Sequence, residues 1–259
     1  PKHSIPGYEM AGIVETVGAG VTGLQPGDEV FGWGNATLAE YVAIPASQVT
    51  TRPSNLTLEQ SAAVPISGLA ALEALRDSGG IRPGQRVLIT GASGAVGTFA
   101  VQIAKALGAE VTGVVSTRNV EMVRSIGADD VIDYTTAAIT DSGSRYDLIL
   151  DLAGNRSLGE LRRALTPSGT LVIVGGSGGR WLMGFGRTVR AGALSPFTRQ
   201  RLRPFISKPT LENLETLRGL IESGQVTPVI DRTFPLRDTA TALDYLASRH
   251  TRGKSVITI

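Results

Sequence analysis

The segment Val87-Leu88-Ile89-Thr90-Gly91-Ala92-Ser93-Gly94-Ala95-Val96-Gly97 decides the fold of this 259-residue chain. Residues 87–90 predict a short buried strand, and residues 94–107 predict a helix because apolar side chains recur there on one helical face. Glycines between the two elements let the backbone approach a pyrophosphate, and the start of the helix presents unpaired N–H groups to it. The segment therefore predicts a dinucleotide-binding turn, with a tight turn that binds no ligand as the alternative.

Strands and helices alternate on the C-terminal side of this turn. Short apolar strands are expected at residues 111–115, 131–132, 148–150 and 171–174, and helices at 119–126 and 156–165. Near-continuous apolar strands joined by helices are typical of a parallel sheet that is covered on both faces. We therefore expect an α/β fold with a Rossmann doubly wound parallel sheet.

The two ends of the chain follow a different pattern. Short strands separated by glycine and proline favour a β-rich unit in the first sixty residues, and a helix at 67–75 leads from it to the sheet. The expected N-terminal strands are 10–17, 29–33 and 38–44. Towards the C-terminus the sequence predicts helices at 210–222 and 235–247 and strands at 226–234 and 255–259.

Composition removes several classes of function. The chain has no cysteine and two histidines, His3 and His250, so neither a disulfide framework, a thiolate zinc site nor a three-histidine metal site is available. A net charge of +2 without a run of Lys or Arg argues against a nucleic-acid partner. We expect no membrane segment, since no apolar run approaches the ~18–20 residues that span a bilayer.

The end of the second strand of the predicted sheet indicates the cofactor. An acidic residue about 20 residues beyond the glycine turn usually binds the ribose 2′-hydroxyl of NAD. This chain has Ser116-Thr117-Arg118-Asn119 there, and the planar guanidinium of Arg118 can bind a 2′-phosphate. The sequence thus favours NADP(H) over NAD(H), with a solvated arginine at a helix start as the alternative. Ends of other expected strands, where open α/β sheets bind ligands, add Leu152, Gly154 and Gly175 to the candidate cofactor site.

Five stretches together resemble the medium-chain dehydrogenase/reductase superfamily. They are residues 7–12 (GYEMAG), 25–30 (QPGDEV), 64–69 (VPISGL), 253–257 (GKSVI) and the glycine turn. The similarity is greatest to the zinc-independent quinone oxidoreductase (ζ-crystallin-like) branch.

This resemblance implies a GroES-like catalytic domain over residues 1–65, an NADP-binding Rossmann domain over 66–200 and a return to the catalytic domain over 201–259. Family chains carry further strands before the segment that matches Gly7. We therefore expect that an N-terminal segment, with part of the substrate pocket and any targeting signal, is missing from this sequence. A cytoplasmic homodimer is the expected state.

The resemblance also assigns cofactor contacts to the glycine turn, to the second and third strand ends, to the segment 64–69 and to a C-terminal segment. The residues concerned are Ser67, Ser93, Gly94, Ala95, Val96, Ser116, Arg118, Tyr134, His250, Arg252 and Lys254. A packed tyrosine at a strand end is the alternative for Tyr134, and an exposed histidine at a helix end is the alternative for His250.

Zinc-dependent relatives have a histidine ligand where Tyr8 stands. They also have a four-cysteine lobe where residues 34–37 of this chain lead directly into the next expected strand. The resemblance therefore implies an enzyme without a metal.

The activity that the resemblance implies is NADPH-dependent delivery of hydride to a small-molecule electron acceptor, which is a quinone, an enone or a related carbonyl compound. Tyr8 is the candidate catalytic hydrogen-bond or proton donor, with a core tyrosine of the small domain as the alternative. A zinc-free alcohol dehydrogenase or enoyl reductase of the same superfamily and a non-catalytic NADPH-binding protein remain open.

Two other stretches have competing interpretations. Residues 175–179 (GGSGG) match the Gly-x-Ser-x-Gly pattern of serine hydrolases with Ser177 as nucleophile, a remote alternative because no helix pattern begins at the serine. The arginine-rich residues 180–203 predict a solvated helix with an apolar inner face, and a lid or a membrane-surface element is the alternative.

Overall fold

The computed structural model describes residues 5–141, 143–174, 199–248 and 251–259. The chain divides into two compact units, which we call unit 1 (residues 1–70 and 208–259) and unit 2 (residues 71–207). Among the described residues, no helix is both long and apolar enough to cross a membrane.

Unit 1 begins with an antiparallel sheet of three strands in the order β1-β2-β3: β1 (Glu9–Ile13), β2 (Glu29–Trp33) and β3 (Val49–Thr51). Two helices follow, α1 (Leu58–Ala62) and α2 (Pro65–Glu73); the chain passes into unit 2 within α2, and a π-helical turn (Ala74–Ser78) continues from it. A capping box starts α1, because Thr57 and Gln60 each bind the backbone N–H of the other through their side chains.

The strand expected at residues 38–44 is wrong. These residues form no strand, and the chain continues irregularly to a short 3-10 turn (Ala46–Gln48) before β3 begins at Val49. The physical reason lies in β2, which pairs with β1 on one side and with β3 on the other. Both hydrogen-bonding edges of β2 are therefore occupied, and the loosely alternating residues 38–44 have no place beside it.

Unit 2 contains a parallel sheet of six strands in the order β6-β5-β4-β7-β8-β9. The strands are β4 (Arg86–Thr90), β5 (Glu110–Val115), β6 (Asp130–Asp133), β7 (Tyr146–Asp151), β8 (Leu165–Ile173) and β9 (Arg201–Pro204). The helices between them are α3 (Ala95–Ala106), α4 (Val120–Ser125) and α5 (Leu158–Ala164). Taken in chain order this arrangement is 3-2-1-4-5-6, which confirms the expected Rossmann sheet.

The core of unit 2 explains why its strands form. Residues 87–89 of β4, 148–150 of β7 and 171–173 of β8 are all buried, as expected for strands covered on both faces. Strand β9 contains Arg201 and Arg203, so this part of the arginine-rich stretch is strand, and the predicted helix is wrong there. The rest of that stretch, up to residue 198, lies outside the described residues.

Unit 1 is completed by the C-terminal part of the chain. Helix α6 (Leu211–Glu222) and helix α7 (Thr239–Ala247) accompany a parallel pair of strands, β10 (Ile230–Pro235) and β11 (Lys254–Thr258). The expected strand at 226–234 therefore starts four residues later, at Ile230. Asn55 donates a side-chain hydrogen bond to the carbonyl of Ile221 in α6, which ties the two parts of unit 1 together.

Candidate functional site

The glycine turn of unit 2 has a geometry that only small residues allow. Gly91 has φ +69°, a conformation that L side chains rarely adopt. A Cβ on Gly97 would lie 2.2 Å from the Gly91 carbonyl oxygen, so α3 packs against the turn without room for a methyl group. Helix α3 begins at Ala95, with Gly94 as an N-cap that supplies no side-chain acceptor. The N–H groups of the first helical turn therefore face the turn without an intrahelical partner, as an anion-binding site requires.

The carboxyl ends of β4, β5 and β7 lie side by side next to this turn. Thr90 pairs in register with Val114 of β5 and with Asp151 of β7. The Thr90 hydroxyl donates to Asp151 Oδ1 at 2.8 Å and accepts from the N–H groups of Leu152 and Ala153 at 3.1 and 3.2 Å. These bonds fix the chain that leaves β7, where Leu152 and Gly154 were expected to meet the cofactor.

The Asp151 carboxylate holds the same loop from its other side. It is fully buried, and the N–H of Gly154 donates to its Oδ1 at 3.3 Å. Neither Thr90 nor Asp151 was among the residues expected at the site. The signal that could have found Asp151 is a carboxylate at the end of an otherwise apolar strand, since a buried charge requires partners nearby.

A short 3-10 turn, Thr117–Asn119, follows β5 and starts α4. Arg118 is exposed on this turn, and Ser116, which precedes it, is half-buried. The Asn119 side chain is buried, and its Nδ2 donates to Ser93 Oγ at 3.1 Å and to Ser116 Oγ at 3.3 Å. The structure thus brings together Ser93 and Ser116, two residues that the sequence assigns to the cofactor.

Asp133, at the end of β6, is hydrogen-bonded to this turn. Its carboxylate accepts from the Thr117 hydroxyl at 2.6 Å and from the hydroxyl and N–H of Thr135 at 2.7 and 2.9 Å. The hydrogen bond from Thr117, followed by those from Thr135, holds the pKa of Asp133 below its ordinary value. The neighbouring Tyr134 donates its N–H to the carbonyl of Val115 at 3.0 Å, and the residue is 52% exposed, so the packed-tyrosine alternative is wrong.

A second cluster lies in unit 1 and is centred on Glu9. Its carboxylate accepts a hydrogen bond from Lys254 Nζ, and these side chains are 21% and 11% exposed. Glu9 also accepts from the N–H of Ile66 at 2.9 Å, and Lys254 Nζ lies 3.1 Å from Ser67 Oγ. One ion pair thus joins β1, β11 and the first turn of α2, and it brings together Ser67 and Lys254, which the sequence had placed only on separate segments.

The remaining candidates are more dispersed. Tyr8 precedes β1 and is 67% exposed, so the alternative of a core tyrosine is wrong. Arg252 is exposed just before β11. Gly175, Ser177 and His250 lie outside the described residues. Within the described residues no group of three or more His, Cys, Asp or Glu side chains could hold a metal ion.

Two family models match the chain. Residues 1–54 match the model described as alcohol dehydrogenase GroES-like domain, and residues 126–257 match the model described as zinc-binding dehydrogenase. The first match covers the strands β1, β2 and β3, and the second runs from the end of α4 to β11.

Curated proteins and a solved structure extend this similarity over nearly the whole chain. The mitochondrial NAD(P)H oxidoreductase RTN4IP1 of Mus musculus is 35% identical, over 98% of this chain and 70% of the mouse protein. The chloroplast envelope quinone oxidoreductase homolog of Arabidopsis thaliana is 32% identical, over 98% of this chain and 79% of the plant protein. The quinone oxidoreductase of Escherichia coli, solved in complex with NADPH, superposes with a TM-score of 0.82 at 27% identity, over 98% of this chain and 82% of the bacterial one.

Proposed function

The chain belongs to the medium-chain dehydrogenase/reductase superfamily, in its quinone oxidoreductase-like branch, and on that basis we propose that it is an NADPH-dependent reductase of quinones, enones and related carbonyl compounds. The observation that carries the proposal is the glycine turn beside the carboxyl ends of β4, β5 and β7, which lie next to one another in unit 2. Arg118 stands at the position where NAD-binding sheets have an acidic residue. The nucleotides and acceptors in the names of the relatives support the same activity.

The proposed pyrophosphate-binding residues belong to unit 2. The close packing at Gly97 and the N-cap at Gly94 leave room for a pyrophosphate against the backbone N–H groups of Ala95 and Val96, with Ser93 beside them. Leu152 and Gly154 belong to the loop that Asp151 fixes at the carboxyl end of β7. We keep Gly175, His250 and Arg252 as proposed contacts on the strength of the sequence alone.

The choice of NADP(H) rests on the residues after β5. Arg118 is exposed and its guanidinium can form two parallel hydrogen bonds with a phosphate. The nearby carboxylate, Asp133, is already engaged by Thr117 and Thr135 rather than presented to a ribose hydroxyl. Tyr134, which follows Asp133 directly, is exposed and is the proposed neighbour of the adenosine phosphate.

The bound nucleotide supplies the hydride, and the protein supplies orientation and the exclusion of water. Tyr8 is the proposed hydrogen-bond donor to the acceptor, because its side chain is exposed beside β1 and a phenol can donate. A quinone accepts its protons from water, so this role demands no strong acid.

We propose that the reaction requires no zinc. The chain has no cysteine, and Tyr8 occupies the position of a histidine ligand in zinc-dependent relatives. Glu9, the other member of that pair, is held by Lys254 and by the N–H of Ile66. Its carboxylate is therefore committed to an ion pair within unit 1.

Three further statements remain proposals. The segments 1–65 and 201–259 act on the acceptor and 66–200 binds the nucleotide; the protein is a homodimer; and it works in the cytoplasm. The first rests on the family resemblance and on the glycine turn, and the others rest on the resemblance alone.

A panel of acceptors separates this function from its rivals. A simple benzoquinone, an enone and an aldehyde are each offered with NADPH and with NADH, and consumption is followed by the loss of reduced-nicotinamide absorbance. We expect turnover with NADPH and the benzoquinone or the enone. Binding of NADPH without turnover of any acceptor would leave a binding protein instead of an enzyme.

The nucleotide preference is tested with Arg118→Ala. Losing a charge-assisted hydrogen bond at an exposed site should weaken the binding of NADPH by about tenfold and leave the binding of NADH almost unchanged. Arg145→Ala is the matched control. Arg145 is also exposed, but it lies at the amino end of β7, and the six residues of that strand separate it by roughly 20 Å from the carboxyl ends where the nucleotide is proposed to bind. Equal losses for both nucleotides in Arg118→Ala would contradict the assignment of the 2′-phosphate.

A further inference from the structure

Asn119 occupies an unusual position between the two phosphate-binding segments proposed above. The residue is buried, with 5% of its surface exposed, and it lies between the glycine turn after β4 and the turn after β5. Its Nδ2 reaches Ser93 Oγ in the first segment and Ser116 Oγ in the second. One amide thus connects two hydroxyls that come from different strands.

The local role that an asparagine would normally have here is not used. Asn119 is the N-cap of α4, a position at which asparagine is favoured because its side chain accepts from the first helical turn. In this structure the N-cap makes no such side-chain bond. The amide is directed to the two serines instead, so helix capping does not explain its position.

The orientation of the amide determines which way the serines donate. With Nδ2 towards both serines, one buried acceptor, Asn119 Oδ1, is left without a partner among the described residues. The reverse orientation would leave two buried N–H donors without acceptors, which is the more unfavourable arrangement. Both serine oxygens therefore accept from Asn119, and each hydroxyl hydrogen is free to donate to a third group.

We propose that Asn119 is a positioning residue that turns the Ser93 and Ser116 hydroxyls into hydrogen-bond donors for the phosphates of the nucleotide. The inference rests on the proposed function, in which Ser93 lies at the pyrophosphate and Ser116 at the 2′-phosphate. A phosphate only accepts hydrogen bonds, so fixed donors bind it better than hydroxyls that rotate between two roles. Asn119 thereby contributes to the affinity of the protein for both NADPH and NADH, and to its preference for NADPH.

The direct test is the substitution Asn119→Leu. The affinity for each nucleotide is measured by the fluorescence of its reduced nicotinamide, with no quinone or enone present. We expect about a fivefold loss for each serine that is no longer oriented, hence about 25-fold for NADPH and about fivefold for NADH. Gln102→Leu is the matched control, because it removes another buried amide of unit 2, one that donates to the Thr98 carbonyl. The control should bind both nucleotides as the wild type does.

A second set of variants separates positioning from a merely structural role. In the background Ser93→Ala with Ser116→Ala there are no hydroxyls to orient, so adding Asn119→Leu should change NADPH affinity by less than about twofold. If the loss in that background is as large as in the wild type, Asn119 only supports the fold and the proposal is overturned. If Asn119→Leu does not fold, Asn119→Asp replaces it in the test. Aspartate has nearly the shape of asparagine, but its carboxylate accepts hydrogen bonds from both serines and donates none. It should weaken NADPH at least as much, and unchanged affinity would overturn the proposal.

Binding of NADPH and NADH by the wild type and by Asn119→Leu distinguishes failure of this inference from failure of the proposed function. A wild-type chain that binds neither NADPH nor NADH removes the proposed function and this inference with it. A wild-type chain that binds NADPH, together with an Asn119→Leu variant that binds it equally well, removes the inference and leaves the function intact.

Discussion

Gly97→Ala tests the packing on which the glycine turn depends. The new Cβ would lie 2.2 Å from the Gly91 oxygen and 2.8 Å from two backbone atoms of Ala92, so no side-chain rotation can relieve it. An ordinary contact needs roughly 1 Å more, and overpacking of this kind costs about 3 kcal/mol, offset by about 1 kcal/mol for alanine over glycine in a helix. The expected net loss of about 2 kcal/mol lowers Tm by roughly 4–8 °C.

Thermal denaturation of Gly97→Ala and of a matched variant, Gly159→Ala, checks this reasoning. Gly159 lies in α5 of the same unit, and a Cβ there would meet its nearest atom, Arg163 Nη1, at 3.7 Å. With space available, only the helical preference remains, and we expect Gly159→Ala to raise stability by up to about 1 kcal/mol. The packing argument is refuted if the two substitutions change Tm in the same direction by similar amounts.

Three further predictions concern the two clusters. Lys254→Met leaves Glu9 half-buried without its cation and should destabilise the fold by about 2–3 kcal/mol in denaturant titrations, whereas adding Glu9→Gln should restore most of the loss. Asp133→Ala frees the turn that carries Arg118 and should weaken NADPH binding severalfold more than NADH binding, measured by fluorescence titration. Because the pKa of Asp133 is lowered in the folded protein, its contribution to stability is present above the pKa of the unfolded chain and is lost as pH falls through the lower folded value. Stability measured against pH should therefore fall less steeply on the acid side in Asp133→Ala; an unchanged acid limb would contradict this assignment.

The features that sequence predicts well are those that local chemistry determines. The strand at 87–90, the glycine turn and α3 form one continuous segment in which apolar periodicity, Gly91 and Gly97 all favour the same structure. The parallel sheet follows for the same reason, because its central strands β4, β7 and β8 each contain a run of buried apolar residues. The family resemblance assigns Ser93 and Ser116 to the cofactor, and the two serines share a hydrogen-bond partner because parallel strands end at one edge of the sheet.

The features that sequence does not predict depend on partners distant in the chain. Residues 38–44 resemble a strand, but the preceding strand β2 pairs with β1 and with β3 instead, and residues 38–44 by themselves do not indicate that choice of partners. The bond from Lys254 to Glu9 spans 245 positions, and neither residue by itself indicates the other. Asn119 reads as an ordinary N-cap until its amide is seen to reach the two serines. Polar contacts of this kind are set by tertiary packing, which residue spacing does not encode.

The discontinuity of unit 1 has a consequence for biosynthesis. Unit 2 is one continuous segment and can fold as soon as residue 207 has left the ribosome, whereas β1 obtains its ion-pair partner only when Lys254 has been made. At about 5–20 residues per second, synthesis from residue 70 to residue 254 takes roughly 10–40 s. During that interval the N-terminal strands lack the two helices and the two strands that complete their unit, and their unpaired edges are open to misassociation. Slower elongation should therefore increase aggregation of the nascent chain through unit 1 and leave unit 2 unaffected.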